Sequence, residues 1–141
     1  MSDVVEQSSL PTPTPSVNTD TKEFWAATLE GRLLIRRCNA CGEAIWYPRP
    51  ICPFCHSQDT VWEESAGRGR IYSFTVVRRP GGAYAGADPY VLAYVELDEG
   101  PRMMTNIVDC DQSLLAVDQP VEVVFHKTDQ EMALPRFRPI R

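Results

Sequence analysis

The chain has 141 residues, a hydrophobic fraction of 43% and a formal net charge of −5, which suits one domain or one domain plus a small metal-stabilised module. Its longest apolar runs are only a few residues, far short of the roughly 20 that a helix needs to cross a bilayer. The acidic balance argues against a general nucleic-acid-binding protein. Nothing at the N-terminus resembles a secretory signal, so a cytoplasmic location with reduced cysteines is expected.

The first segment, residues 1–18, lacks apolar periodicity and contains Pro11, Pro13 and Pro15. This composition predicts a flexible, extended leader rather than a packed element. Its length would alternatively suit docking on a partner. We therefore divide the chain into this leader, residues 19–64 with a helix and a cysteine-rich module, and residues 65–141.

A short helix is predicted after the leader. Asp20 and Glu23 resemble a capping box, and Gly31 stands where a glycine commonly ends a helix. Phe24 and Trp25 give this helix an aromatic face. A helix so short must pack on something to be stable. The aromatic face either covers the core of the next module or contacts a ligand or partner subunit.

Four cysteines form two C-x-x-C pairs, Cys38 with Cys41 and Cys52 with Cys55, with ten residues between the pairs. Two such loops facing each other supply four thiolates, the ligand set that structural zinc prefers. Disulfides fit less well because Cys110 makes the number of cysteines odd, and a redox C-x-x-C would leave one pair idle. Four thiolates close the coordination sphere, so we predict a structural site with zinc, or with iron as the alternative.

Short apolar segments around the cysteine pairs, residues 33–35, 45–47 and 61–62, predict the strands of a small ribbon. His56 directly follows Cys55, but four thiolates are already available, so we expect its side chain to face solvent. A module of this size buries too little apolar surface to fold without a staple, which the metal provides.

From Gly67 onward the pattern is that of β-strands, rich in β-branched and aromatic residues. Five strands are predicted, at residues 69–77, 89–97, 102–108, 120–126 and 134–139. The last should lie at a sheet edge, because its prolines cannot donate to a ladder. The glycine-rich loop 81–89 is not a phosphate-binding loop, since no Gly-Lys-Ser/Thr follows it. Five short strands suit a Greek-key barrel of the OB type.

Three motifs in a fixed order carry a family resemblance. The chain has LEGRLLIRRC leading into the first cysteine pair, GRGRIYSFTVV after the second pair, and then PYVLAYVELDEG. This combination resembles the DUF35 family over about residues 20–140. The resemblance implies a mainly β fold with an N-terminal helix, a rubredoxin-like zinc ribbon and a five-stranded OB-fold barrel.

The resemblance also implies that the chain has a partner protein. DUF35 proteins commonly act beside thiolase-fold or lipid-transfer-type proteins. The complexes they form are thiolases or aldolases in the degradation of steroid side chains, aromatic compounds or lipids. In those complexes the larger partner supplies the catalytic residues. The small chain helps to assemble the complex or to form the acyl-CoA site, and the family offers no catalytic motif to place on this sequence.

The residues themselves give no sign of catalysis. The two histidines are His56, beside the cysteine pair, and His126, at the end of a predicted strand. Cys110 lies between Asp109 and Asp111, whose negative charges would raise its thiol pKa and make it a poor nucleophile. We therefore predict an auxiliary subunit that is not catalytic alone.

Arginine and aromatic side chains are the candidates for binding coenzyme A, because guanidinium groups recognise phosphates and aromatic rings stack on adenine. The candidates are Arg68, Arg70, Arg78, Arg79, Tyr72 and Tyr84. Each arginine could instead be a solvated charge balanced by nearby glutamates.

A partner interface is predicted where aromatic and arginine side chains, the types enriched in interface cores, stand near the chain ends. These residues are Phe24, Trp25, Arg136, Phe137 and Arg138. The alternative function is a single-stranded nucleic-acid-binding module, since OB barrels use basic grooves and stacking aromatics for that purpose. The acidic balance makes nucleic acid the less favoured ligand, and a rubredoxin-like electron carrier is a third hypothesis based on the four cysteines alone.

Overall fold

The computed structural model describes residues 2–140. Within that range the chain has one α-helix, α1 (Lys22–Thr28), and nine β-strands. The strands are β1 (Val4–Val5), β2 (Leu34–Cys38), β3 (Ala44–Ile45), β4 (Thr60–Glu64), β5 (Arg68–Val77), β6 (Tyr90–Leu97), β7 (Arg102–Ile107), β8 (Pro120–Lys127) and β9 (Ala133–Pro139). The predicted mainly β fold is confirmed. Among the described residues, no helix has the length and apolar character needed to span a membrane.

Strands β2, β3 and β4 form the ribbon sheet in the order β3-β2-β4, with both pairings antiparallel. The five strands from β5 onward form the barrel. Antiparallel pairs join β5 to β6, β6 to β7, and β8 to both β5 and β9. A parallel pairing between Ile107 on β7 and Phe137 on β9 closes the ring.

Strand β9 therefore lies inside the closed barrel, and the prediction of an edge strand is wrong. Pro135 still cannot donate a ladder hydrogen bond. Its carbonyl can still accept, and the hydroxyl group of Thr105 on β7 donates to it at 3.0 Å. A side chain thus makes a cross-strand bond beside the proline.

The barrel core follows the alternation of the strands. On β6 the buried side chains are Val91, Ala93, Val95 and Leu97, which are every second residue, as a two-sided strand requires. A bulge between Ile71 and Ser73 interrupts the pairing of β5 with β6. The side chains of α1 and of the ribbon join the same core cluster, so the two modules pack on one another.

Helix α1 forms where predicted, but its N-terminus differs from a capping box. The side chain of Thr21 at the N-cap makes no capping bond. Instead, the side-chain oxygen of Asn18 accepts from the backbone N–H groups of Asp20 and Thr21. Gly31 has a φ of +73°, the left-handed conformation expected of a glycine after a helix.

The prediction that residues 1–18 form a leader apart from the packed elements is wrong for its first part. Strand β1 pairs in parallel with β8, and the N–H of Phe125 donates to the carbonyl of Asp3 at 2.9 Å. The N–H of Ser2 donates to the carbonyl of Gly31 at 2.8 Å, and the side chain of Leu10 is buried. Residues 2–11, which we call the strap, lie against the barrel.

Candidate metal centre and neighbouring sites

The four predicted metal ligands come together at one end of the ribbon. The sulfur atoms of Cys38, Cys41, Cys52 and Cys55 all lie within 4.8 Å of one another. The two closest contacts each join one pair to the other, Cys38 to Cys55 and Cys41 to Cys52, both at 3.6 Å. A tetrahedral zinc with bonds of about 2.3 Å would set its sulfur atoms about 3.8 Å apart. The donor set and its spacing therefore fit a four-thiolate metal.

The two C-x-x-C loops have the same backbone geometry. In the first, the N–H of Cys38 donates to the carbonyl of Glu43 and the N–H of Gly42 donates to the carbonyl of Cys38, both at 2.9 Å. The second loop repeats both bonds at the equivalent positions, starting from Cys52 and from His56, again at 2.9 Å. Each loop thus turns two thiols toward the same point.

The equivalence of the two loops explains the backbone conformation of His56. Gly42 has a φ of +82°, and His56, at the same position of the second loop, has a φ of +65°. Glycine adopts this conformation freely, whereas histidine does so at a cost. The side chain of His56 is exposed, as expected. His56 is therefore a residue of the second cysteine loop, beside the four thiols.

Backbone N–H groups favour the thiolate form of Cys38. The N–H of Cys41 lies 3.5 Å from the sulfur of Cys38, and this contact is the largest of the causes that lower the pKa of the Cys38 thiol to about 7 against the opposing effect of burial. The N–H of Phe54 lies 3.4 Å from the sulfur of Cys52. Because four thiolates fill a tetrahedral sphere, the centre can hold the ribbon together but offers no open position to a substrate.

The aromatic face of α1 is buried beneath the ribbon rather than offered to solvent. Phe24 makes edge-on ring contacts with Trp25, Trp46 and Tyr47, with centroids 4.8 to 5.9 Å apart. The indole N–H of Trp25 donates to the hydroxyl oxygen of Tyr47 at 2.8 Å. Phe24 is 0% exposed, so its prediction as a surface contact is wrong, and Trp25 is nearly as buried. The alternative, that this face covers the core, is confirmed.

The predicted partner contact on β9 is also wrong for two of its three residues. Arg136 and Phe137 are buried, because β9 is enclosed by β7 and β8. Arg138 is half-exposed and donates to the carboxylates of Asp3 at 2.9 Å and Glu122 at 3.1 Å. Of the predicted interface residues, only Arg138 keeps an accessible side chain.

The predicted coenzyme A residues separate into two groups. Arg68 and Arg70 lie at the start of β5, whereas Arg78 and Arg79 follow its last residue. A strand of this length spans about 30 Å. All four arginines are exposed, and Arg70 donates to the carbonyl of Asp118 at 3.1 Å. The fold therefore does not gather the four guanidinium groups into one site.

The two predicted stacking tyrosines already have neighbours. Tyr72 lies under the guanidinium group of Arg102, 3.8 Å from its ring centre. Tyr84 contacts the ring of Tyr90 at 5.0 Å, and its hydroxyl oxygen accepts from Arg136 at 3.2 Å. An adenine ring would have to stack on an exposed edge of Tyr72 or displace one of these contacts.

No sequence pattern indicated the polar cluster around Arg136, which is 1% exposed. Its guanidinium group donates to the side-chain oxygen of Asn106, to the carbonyls of Leu10 and Pro11, and to the ring of His126 at 3.0 Å. No carboxylate is among these partners. The cluster joins the strap to three barrel strands.

Only the strand register reveals this cluster. Pairing of β8 with β9 sets Val124 opposite Arg136 and His126 opposite Leu134, so His126 and Arg136 are diagonal neighbours on one face. The alternation of β8 places His126 on the face opposite Val121 and Phe125, which was visible in the sequence. The matching position on β9 was not, because register depends on pairing geometry.

Two family models match the chain in succession. Residues 25–61 match the rubredoxin-like zinc ribbon domain of ChsH2, and residues 62–126 match the C-terminal OB-fold domain of ChsH2. The boundary between the two models falls within β4, the last ribbon strand.

Three curated proteins are similar to this chain over most of its length. A probable enoyl-CoA hydratase alpha subunit of Thermomonospora curvata is 39% identical over 90% of this chain, which spans only 40% of that relative's length. A DUF35 domain-containing scaffold protein of Methanothermobacter thermautotrophicus is 38% identical over 67% of the chain and 72% of its own length. The benzoylsuccinyl-CoA thiolase subunit BbsA of Geobacter metallireducens is 29% identical over 62% of each chain.

A solved structure agrees with these sequence matches. A chain of the Ltp2-ChsH2(DUF35) aldolase superposes with a TM-score of 0.78 and 39% identity, covering 89% of this chain and 98% of that one. With the zinc-ribbon match, the four gathered thiols and the closed five-stranded barrel, these similarities identify the chain as a member of the DUF35 family.

Proposed function

We propose that the chain is an auxiliary, non-catalytic part of a thiolase- or aldolase-type complex that processes acyl-CoA. The observation that carries this proposal is the similarity over nearly the whole chain to the DUF35 chain of an aldolase. The names of the thiolase-subunit and scaffold-protein relatives support it.

The chemistry of the described residues supports an auxiliary role. The metal centre is closed by four thiolates. Burial, followed by the charges of Asp109 and Asp111, raises the pKa of the Cys110 thiol, which disfavours the nucleophilic thiolate. The Nδ1 atom of His126 is already engaged by Arg136, so this imidazole nitrogen cannot take a proton from a nucleophile.

We propose zinc rather than iron as the metal. The matched domain is described as a zinc ribbon, and four thiolates suit both metals. Zinc would give a colourless protein, whereas iron in four thiolates would give a red one with visible absorbance. Elemental analysis with an absorption spectrum of the purified protein separates the two metals.

The proposed partner contact lies on exposed apolar side chains instead of the buried aromatic residues of α1. The outer face of the barrel exposes Tyr94 and Met104, which are direct neighbours across β6 and β7. Tyr72 on β5 and Phe54 on the ribbon are also exposed. Aromatic residues and methionine are enriched in interface cores, so we assign this side of the chain to the thiolase-fold partner.

Co-expression with a thiolase-fold protein encoded next to this chain tests the proposal. The two chains should elute together in size-exclusion chromatography at micromolar concentration. Changing Tyr94→Glu and Met104→Glu together should weaken that association, whereas Leu114→Glu, at another exposed apolar side chain, serves as the matched control. Separate elution of the unchanged chains would contradict the auxiliary role, and equal effects of both variants would contradict only the assigned surface.

We further propose that this chain contributes only one of its two arginine groups to an acyl-CoA. Arg78 and Arg79 directly follow the last residue of β5, at the opposite end of the strand from Arg68 and Arg70. Reversing the charge of one group should therefore raise the Km of the complex for acyl-CoA, while reversing the other should leave it unchanged.

A further inference from the structure

A cleft of about 290 Å³ lies between the strap and the barrel. Its walls include Val5 and Leu10 from the strap, Tyr90 and Cys110 from barrel loops and strands, and His126 from β8. The volume is at the lower end of the range for small-molecule sites. The cleft is therefore large enough for a small ligand or for one end of a larger one.

The tautomer of His126 follows from its neighbour. A guanidinium nitrogen of Arg136 lies 3.0 Å from the Nδ1 atom of His126. Arginine can only donate hydrogen bonds, so Nδ1 must accept and cannot carry a proton. The neutral imidazole consequently carries its proton on Nε2. Burial and the charge of Arg136 lower the pKa of His126 to about 4, which agrees with a neutral ring.

The Nε2–H group has no acceptor among the residues that the structure describes. The side chain of His126 is 95% buried, being 5% exposed, and its single hydrogen bond within residues 2–140 uses Nδ1. Among those residues, the only side-chain nitrogen or oxygen sealed from solvent without a partner is Nε of Arg36. The Nε2 atom of His126 therefore reaches open space, and the cleft is the cavity that this side chain lines.

The charges around the cleft select the kind of ligand. Asp88 and Asp109 lie in its wall and would repel an anion. The guanidinium group of Arg136 stands directly behind the imidazole and would repel a cation. An N–H donor between opposite charges suits an uncharged acceptor, and the positive charge behind the ring strengthens that donor.

A metal ion does not fit this cleft. Cys110, His126 and Asp109 all contribute to the wall, but within residues 2–140 the four ribbon cysteines are the only set of three or more such ligands that converge. The proton on Nε2 also blocks that nitrogen as a ligand, since metals bind the unprotonated atom.

From this geometry we infer that the strap cleft is a binding site for an uncharged carbonyl group, such as that of a ketone, an amide or a thioester, and that His126 donates the hydrogen bond to its oxygen. Arg136 acts as the positioning residue that fixes the tautomer. The strap completes the site, because its Leu10 lines the cleft while the carbonyl of Leu10 accepts from Arg136. The inference concerns the isolated chain and is independent of the proposed complex.

Nitrogen-15 NMR of the imidazole rings tests the site directly, because the chain has only two histidines. The probe is the acetyl thioester of N-acetylcysteamine, a small uncharged molecule with two carbonyl groups. At pH 7 His126 should show a protonated Nε2 and an unprotonated Nδ1, and the Nε2–H signals should shift as the probe is added. The exposed His56 should not respond, and acetate should produce no shift at His126. A proton on Nδ1, an unchanged Nε2–H signal, a probe response at His56 equal to that at His126, or an equal response to acetate would overturn the inference.

Two variants of His126 distinguish the effect of the hydrogen-bond donor from the effect of side-chain packing. His126→Gln keeps an amide N–H donor and should retain probe binding within about threefold, whereas His126→Phe should weaken it about tenfold, as expected for one lost hydrogen bond. Equal binding by His126→Phe, or equal losses in both variants, would contradict the role of His126. If His126→Phe does not fold, the spectra of the unchanged protein still decide the question.

Discussion

The ribbon and the barrel reach a stable fold by different means. The ribbon around the thiols has only a small buried cluster of its own, Cys38, Ile45 and Cys52, and it depends on four ligands meeting at one point. The barrel buries apolar side chains from five strands. Among residues 2–140 the one buried charged side chain of the barrel is Arg136, and neutral oxygens and a histidine accept its hydrogen bonds.

This difference determines which substitutions each region tolerates. The hydrophobic effect is nondirectional and spread over many side chains, so a barrel can lose one contact and keep its topology. Metal coordination is directional and concentrated in four atoms, so a ribbon loses its fold when one ligand is removed. The aromatic cluster around Phe24 lies where the two regions meet and couples them.

The largest effect is expected from Cys52→Ser, which removes a buried ligand. The variant should lose its bound metal and the hydrogen-exchange protection of the ribbon, because metal affinity here is folding free energy of roughly 10–16 kcal/mol. Elemental analysis and amide exchange measure both. The barrel amides should stay protected; undiminished metal content with an unchanged melting temperature would contradict the assignment.

Phe24→Ala tests the junction between ribbon and barrel. Phe24 is fully buried in the aromatic cluster, so the truncation should lower the free energy of unfolding by about 3–5 kcal/mol. Phe54→Ala is the matched control, because Phe54 is 64% exposed and should change stability by under about 0.5 kcal/mol. Urea denaturation of both variants gives the comparison. If both variants lost the same small amount of unfolding free energy, the aromatic face of α1 would be exposed rather than buried.

Arg136→Met tests the internal charge of the barrel. The change leaves the acceptors on Leu10, Asn106 and His126 without their donor, and we expect a loss of about 3 kcal/mol. Arg138→Met removes a half-exposed arginine paired with Asp3 and should cost about 1 kcal/mol or less. Chemical denaturation distinguishes the two. Amide exchange at β1 should increase in the Arg136 variant if the strap depends on this side chain.

The smallest effect is expected in the second cysteine loop. His56→Gly relieves a φ of +65° and should leave metal content unchanged while stability rises by up to about 1 kcal/mol. Gly42→Ala is the reciprocal change, because an added Cβ there meets nothing within 4 Å and only the backbone conformation is affected. It should lower stability by about 1 kcal/mol. Loss of metal from His56→Gly would show that His56 takes part in coordination.

The sequence predicted the ribbon better than it predicted the surface of the chain. Cysteine spacing is a local signal, and it identified all four gathered thiols. The β-strand pattern likewise gave the five barrel strands. The strap was missed because β1 has only two residues and its pairing with β8 joins positions more than 100 residues apart. The burial of Arg136 was missed, and that of Phe24 was only one of two alternatives, because aromatic and arginine side chains suit cores and interfaces alike until the packing is known.

We propose that this DUF35 chain supports acyl-CoA chemistry without performing it. The most direct test is an assay of the isolated, metal-loaded chain for thiolysis of acetoacetyl-CoA, hydrolysis of acetyl-CoA and aldol cleavage of a β-hydroxyacyl-CoA. We expect no turnover above the uncatalysed rate, since the closed thiolate centre and the engaged Nδ1 of His126 supply no nucleophile–base pair. Robust turnover that disappears when one of the chain's own residues is changed would contradict it.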